Sequence, residues 1–335
     1  MENTVKVAVD AMGGDNAPRA VIEGVIEALE EYDALEVTLI GNEESINSIL
    51  KELNYEDERL NLIYTTQIVE MAEHPVNAIR TKKDSSMVKG MNLVKEGTCD
   101  AFVTAGNSGA VLVGGQLIVG RIRGIDRPPL APIIPTQNGA CLLVDCGANV
   151  DARAPWLVQF AKMGSIYVEN MLGIKNPRVA LFNIGAEEEK GNALVKEVYP
   201  MLKECEDINF IGNIEARDIP FGKADVVVCD AFVGNAILKM YEGASQVFLK
   251  ELKSTFVSSL RTKIGALLLK PALKKTLKNM DSSSYGGAPL LGTRGLVVKA
   301  HGNSKKTEIK NALGQCLLFH EKKINEQIKE KILLK

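Results

Sequence analysis

The 335-residue chain is 46% hydrophobic and 24% charged, ample for a well-buried core in a large domain. A net charge of −2 and an aromatic content of 5% argue against a nucleic-acid partner, which calls for a basic field and stacking platforms. No apolar run reaches the roughly 18 residues of a membrane span, and the N-terminus enters a strand with no signal peptide, so a cytoplasmic protein is expected. The six cysteines are scattered without a CxxC pair and read as reduced, buried thiols rather than disulfides or a zinc site.

The first element is a strand over Val5–Val9, inside the segment VAVDAMGGDNAP from Val7 to Pro18. The strand runs into a turn holding Asp10, Gly13, Gly14, Asp15 and Asn16. A helix follows, with Val21, Ile22, Val25, Ile26 and Leu29 at helical spacing. Glycines in a strand-to-helix turn let backbone approach a ligand, and the helix N-terminus favours an anion. Further strands are predicted at Glu36–Ile40, Leu60–Tyr64, Ala101–Thr104, Ala140–Val144, Arg178–Asn183, Ile208–Ile211, Asp225–Cys229 and Gly295–Ala300, with helical segments between most of them. That alternation predicts an α/β fold, a largely parallel sheet flanked by helices. The whole chain, 1–335, reads as one α/β catalytic domain. The proline-rich stretch Arg127–Pro135 marks a crossover near 121–139 if the domain divides into two lobes.

Almost every predicted strand ends in a small polar cluster. These are TAGNSGA (104–110), VDCGANVDA (144–152), NIGAEEEKGN (183–192), GNIEARD (212–218), CDAFVGN (229–235), SYGGAPLLG (284–292) and AHGNS (300–304). Each alone is an ordinary turn. Together they line one rim of a parallel sheet, where α/β sites lie. The rim offers backbone donors, asparagine amides and the cations Lys82, Lys190, Arg217 and Lys239, a set suited to phosphate and an oxyanion. Asp10, Asn107, Lys190 and His301 are the catalytic candidates. Gly13, Gly14, Asp15, Asn16, Ser108, Asn149, Asn192, Arg217 and Asn235 are the substrate-binding candidates.

No HExxH or His/Cys cluster suggests a metal, and with GxGxxG and GxxxxGK[ST] both absent neither a standard NAD fingerprint nor a P-loop is supported. Ser108 reads as a helix cap, and Cys146 as a buried structural thiol with no histidine nearby in sequence. Glu187, Glu188 and Glu189 read as a solvated first helical turn before Lys190. His74 lies in a loop, and His301 ends the last strand.

From 245 to 282 a helical hairpin is predicted, broken at Pro271. Leu252, Phe256, Leu260, Ile264 and Leu268 form an apolar stripe, and Lys263 and Lys274 belong to a basic face that only Glu251 opposes. Such a segment packs against a core or, projecting, meets an anionic membrane surface or an acidic carrier protein.

Seven of these motifs, in order from VAVDAMGGDNAP to AHGNS and including EEEKGN and DVVVCDAFVGN, resemble those of the bacterial acyl-[acyl-carrier-protein]:phosphate acyltransferases of phospholipid synthesis. The resemblance covers nearly the whole chain. It implies transfer of a long-chain acyl group from acyl carrier protein to inorganic phosphate, giving acyl phosphate for a membrane glycerol-3-phosphate acyltransferase. It also implies a homodimer, an isocitrate/isopropylmalate-dehydrogenase-like fold and no cofactor. The chemistry of the rim agrees, because phosphate needs positioning more than deprotonation and a thiolate leaves without strong acid help. The competing readings are a phosphotransacetylase-like enzyme using a small acyl-CoA, and a non-catalytic lipid- or carrier-binding module.

Overall fold

The strands are rich in valine, leucine and isoleucine because helices cover both faces of the sheets they build. The computed structural model describes residues 4–279 and 285–333, with the side chains of 274–279 and 333 outside the description. Two sheets form, where a single rim was expected. The first holds β1 (Val5–Asp10), β2 (Leu35–Gly41), β3 (Leu60–Tyr64), β4 (Ala101–Thr104), β10 (Ala288–Leu290) and β11 (Leu296–Lys299), in the order β10-β11-β4-β1-β2-β3. The second holds β5 (Ile133–Thr136), β6 (Gly139–Val144), β7 (Arg178–Phe182), β8 (Asn209–Ile214) and β9 (Val226–Val228), in the order β5-β6-β9-β7-β8. Every pairing is parallel except β10 with β11 and β5 with β6.

The two antiparallel strands are those the sequence reading missed. Both are short and carry proline, Pro135 in β5 and Pro289 in β10. Proline lacks a ladder donor and is confined to sheet edges, which is where both strands lie. The proline-rich stretch before β5 carries the chain from the first sheet to the second. On the way Arg121 bridges Thr293 and Leu130 bridges Leu290.

The helices are α1 (Arg19–Glu31), α2 (Glu43–Glu52), α3 (Pro75–Thr81), α4 (Ser86–Lys95), α5 (Ser108–Gly114), α6 (Ala154–Met171), α7 (Ala193–Lys203), α8 (Ala231–Val257), α9 (Leu260–Asn279), α10 (Lys306–Glu321) and α11 (Ile324–Leu333). A π-helical turn, Gly115–Val119, extends α5. Val21, Ile22, Val25 and Leu29 of α1 are buried as the spacing suggested, Ile26 is half-buried and Ala28 is buried beside them, and α1 packs on α10. From Leu157 to Val168 nearly all of α6 is buried, as expected of a helix enclosed on all sides. One continuous apolar cluster joins side chains of both sheets through α6, so the core is shared.

In each sheet the chain order reverses beside one strand. The carboxyl ends of β1 and β4 flank that point in the first sheet, and those of β6 and β9 in the second. Ligands of open α/β sheets bind at such crevices.

Helices α8 and α9 form a hairpin whose turn lies at Ser258–Ser259, not at Pro271, which is inside α9. The hydroxyls there explain the turn. Ser259 N–H donates to Thr262 Oγ1 at 3.0 Å, and Thr262 N–H donates to Ser259 Oγ at 3.2 Å. The first turn of α8 is pressed onto the end of β6. A Cβ on Gly234 would lie 1.9 Å from the Asp145 carbonyl oxygen, so only glycine fits. Gly234→Ala should therefore destabilise the fold by about 3 kcal/mol in thermal or denaturant unfolding. A loss within a few tenths would mean that α8 is free to move off the β6 turn.

Candidate active site

At the first crevice one buried carboxylate ties together the β1 turn, the end of β4 and the start of α4. Asp10 closes β1 and is 3% exposed. Its oxygens accept from Ser86 Oγ at 2.5 Å, Thr104 Oγ1 at 2.7 Å and Met12 N–H at 3.1 Å, with Gly13 N–H also donating. Burial pushes the Asp10 carboxyl up, against these hydrogen bonds, which favour its charged form. Gly13 is required here because a Cβ would lie 2.6 Å from Asp10 Oδ2 and 2.6 Å from Gly106 N. Gly14 follows at φ +103°, a region open to glycine.

The same turn grips the end of β11. Asp15 N–H donates to Gly302 O at 2.7 Å, and Asn16 Nδ2 donates to Asn303 O at 2.9 Å and Ser304 O at 3.2 Å. Asn107 grips the loop before α3. Its Nδ2 reaches the carbonyls of Glu70, Met71 and Glu73 at 3.1, 3.0 and 2.9 Å, while its Oδ1 accepts from Ala110 N–H at 3.0 Å. The Asn107 amide is thus committed to protein groups and acts as a positioning residue. It is also the cap of α5, a part the sequence reading gave to Ser108, which is instead the exposed first residue of that helix.

Lys299 is the rim cation the sequence reading missed. It ends β11, is 8% exposed, and donates to Ala105 O at 3.3 Å and to Ala300 O. Burial pushes its ammonium down to about 8, against the pull of Asp10 and Asp15. The available signal was a lysine closing an otherwise apolar run, GLVVKAHG. Two residues on, His301 Nδ1 lies 2.7 Å from Asn303 Oδ1, and Nε2 lies 3.8 Å from Glu242 of α8. The Glu242 carboxylate draws the imidazole pKa up.

The remaining candidates belong to the second sheet. Asp145 ends β6 as Asp10 ends β1: buried, its carboxylate accepts from Leu130, Ala148 and Asn149 N–H at 3.0, 3.1 and 2.9 Å. Asn149 Nδ2 donates to the same carboxylate at 2.7 Å and to Pro128 O at 3.2 Å. Burial pushes the Asp145 carboxyl up as well. Lys190 and Asn192 lie after β7, exposed. Lys190 O accepts from Asn183 Nδ2 at 3.0 Å, and Asn192 caps α7 through Val195 N–H at 2.9 Å.

Helix α7 begins at Ala193, so Glu187, Glu188 and Glu189 lie in the loop before it rather than in a first turn, with Glu188 paired to Lys203 at 2.9 Å. Arg217 follows β8, largely exposed and paired with Glu215 at 2.6 Å. Asn235 lies half-buried in the first turns of α8. Among the described residues no hydrogen bond or ion pair links Lys190, Asn192 or Arg217 to the first rim. Asp10, Gly13, Gly14, Asp15, Asn16, Asn107 and His301 stand at strand ends of the first sheet or the turns after them, whereas Lys190, Asn192 and Arg217 follow strands of the second. Of the other sequence-nominated cations, Lys82 is tied to Glu73 and Ile68 O, both at 2.6 Å, and Lys239 is exposed.

Cys146 and Cys229 are buried, and burial pushes both thiols well up, which removes thiolate character. Among the described residues no group of three His, Cys, Asp or Glu side chains could hold a metal ion. Nor is any described helix long and apolar enough to cross a membrane.

A family profile described as "Fatty acid synthesis protein" matches residues 5–327. The phosphate acyltransferase of Clostridium perfringens is 48% identical over 331 residues, 99% of this chain and 98% of that protein. That of Thermoanaerobacter pseudethanolicus is 51% identical over 328 residues, 98% of this chain and 97% of that protein. Among solved structures, a phosphotransacetylase from Streptococcus pyogenes superposes with a TM-score of 0.61 at 17% identity, over 97% of this chain and 95% of that one, a likeness of α/β fold alone. Matched end to end at about half identity, the chain belongs to the phosphate acyltransferase family of acyltransferases.

Proposed function

We propose that the protein transfers a long-chain acyl group from acyl carrier protein to inorganic phosphate, releasing acyl phosphate for phospholipid synthesis. The observation that carries this reading is the buried Lys299 ammonium at the β1/β4 crevice, within a frame of turns held by Asp10. Phosphate occupies the Gly13–Gly14 turn with Lys299 as its cation. One phosphate oxygen attacks the thioester carbonyl, the new C–O bond forms, and the C–S bond breaks as thiolate leaves. His301, its basicity raised by Glu242, donates to the carbonyl oxygen as negative charge gathers there. No side-chain nucleophile is needed, in keeping with thiols that burial holds protonated.

The α8–α9 hairpin supports peripheral attachment to an anionic membrane. Leu260, Ile264 and Leu268 are 76%, 56% and 78% exposed, whereas Leu252 and Phe256 are half-buried. Lys263 is exposed, and the side chain of Lys274 lies outside the described residues. An exposed apolar stripe among lysines fits a lipid interface, where the amphiphilic product must be handed on. The same stripe, shared across a two-fold axis, would serve a homodimer.

Purified protein given palmitoyl-ACP and phosphate should yield acyl phosphate trapped by hydroxylamine; turnover of acetyl-CoA instead would favour a small-acyl enzyme. Lys299→Met should lower kcat/KM for phosphate by about 100-fold. The wild-type rate should fall as pH rises through about 8, where the ammonium loses its proton, and the variant should lack that limb. Stability should run the other way. The depressed pKa means that the cost of burying charged Lys299 is fully present below about 8 and fades as pH rises towards 10.5. Wild-type protein should float with anionic vesicles at low salt. Leu260→Glu or Ile264→Glu should weaken flotation without unfolding; size-exclusion chromatography of the same variants reports any loss of a dimer.

A further inference from the structure

A second exposed surface is built by helices that follow strands of the first sheet, with no lining residue from the hairpin. It is a groove of about 350 Å³ between α3, α4 and the π-helical turn. Its apolar lining includes Ile79, which is buried, and Val76 and Leu117, which are 48% and 73% exposed. Arg80, Lys83 and Lys95 stand around it, all exposed. Among the described residues none of the three has a carboxylate partner; Lys83 Nζ donates only to Ile79 O, at 3.1 Å. The neighbouring Lys82 and Lys89 are neutralised by Glu73 at 2.6 Å and Asp84 at 2.7 Å, so the uncompensated charge of this face falls on the groove.

The groove is joined to the crevice. Asn107 holds the loop leading into α3, and a Cβ on Gly109 would lie 2.4 Å from Pro75 Cγ, so α3 starts directly on the first turn of α5. Helix α3 has seven residues, about 10 Å of rise, so the groove opens one short helix away from the rim. The π-helical turn widens the backbone where Leu117 projects, and such turns recur at functional sites.

We propose that this groove docks the acyl carrier, a small acidic helical protein, with its acidic helix against Arg80, Lys83 and Lys95 and an apolar side chain against Val76 and Leu117. The inference rests on the carrier being the acyl donor. Charge complementarity of this kind speeds encounter and sets orientation, and it aims the tethered thioester along α3 towards the Asn107 end of the crevice.

Fluorescence anisotropy of labelled holo-carrier with full-length protein tests the docking directly, apart from any chemistry. The wild type should bind in a salt-sensitive manner. R80E/K83E/K95E should weaken binding and raise KM for palmitoyl-ACP by about tenfold, with KM for phosphate unchanged. Should the triple variant fold poorly by circular dichroism, Leu117→Glu and Arg80→Glu singly serve in its place. Carrier binding equal to wild type overturns the proposal. So does a variant that loses flotation with anionic vesicles while keeping its carrier affinity, which makes lipid the occupant. A change in sedimentation with carrier affinity kept makes the occupant a second copy and overturns it too. Carrier binding at this groove with no acyl phosphate formed by wild type would instead count against the proposed reaction.

Discussion

The site depends on how Asp10 is held. A carboxylate taken out of water at the end of a central strand costs several kcal/mol unless its oxygens are paired. Here Ser86 comes from the start of α4, Thr104 from the end of β4, and Met12 and Gly13 from the Asp10 turn itself. Each donor that relieves the charge also ties down one piece of the rim. The glycines follow from the same requirement: backbone must come close enough to Asp10 to donate, and no Cβ fits between Asp10 and Gly106.

The second sheet repeats the device with Asp145, whose donors are three backbone N–H groups and the Asn149 amide. The carboxylates brace two crevices over one shared core, and α8 starts between β9 and the β6 turn, where Gly234 lets it touch Asp145. Further along, α8 sets Glu242 opposite His301 of the other sheet. One helix therefore links the second crevice, the first crevice and the exposed hairpin, and the tight seat at Gly234 fixes where its far end points.

Local signals made much of this legible in the sequence. Apolar runs ending in Asp, Gly and Asn clusters mark β1, β4, β6 and β9 to within a residue or two, because a parallel strand and its turn are both written in adjacent residues. What escaped was non-local. Pro135 and Pro289 hide β5 and β10, since proline signals a loop unless the sheet edge is known. The hairpin turns on serine and threonine hydroxyls, a weaker signal than the proline that α9 absorbs. The role of Asn107 lies in carbonyls more than thirty residues earlier, and that of Lys299 in a burial no local pattern reports. Division into two sheets also escaped local reading: Lys190 follows a strand of the second sheet, where chain order alone suggested one rim.

The placement of charge then separates scaffold from chemistry. A pocket for an anion cannot turn a free carboxylate towards it. Asp10 satisfies this because its oxygens point into the protein and are occupied by donors. The cation is treated in the opposite way. Lys299 spends two contacts on backbone carbonyls, which anchor the ammonium without neutralising it, and no ion pair to Asp10 or Asp15 forms. Its charge is therefore left over at the crevice, held at a dielectric low enough to matter and close to the pH at which it would be lost. An arrangement of that kind suits a reaction whose nucleophile arrives already charged. Under the proposed reaction the protein has no nucleophile to activate, and its contribution would be a fixed cation, a close backbone turn and a donor to the developing oxyanion.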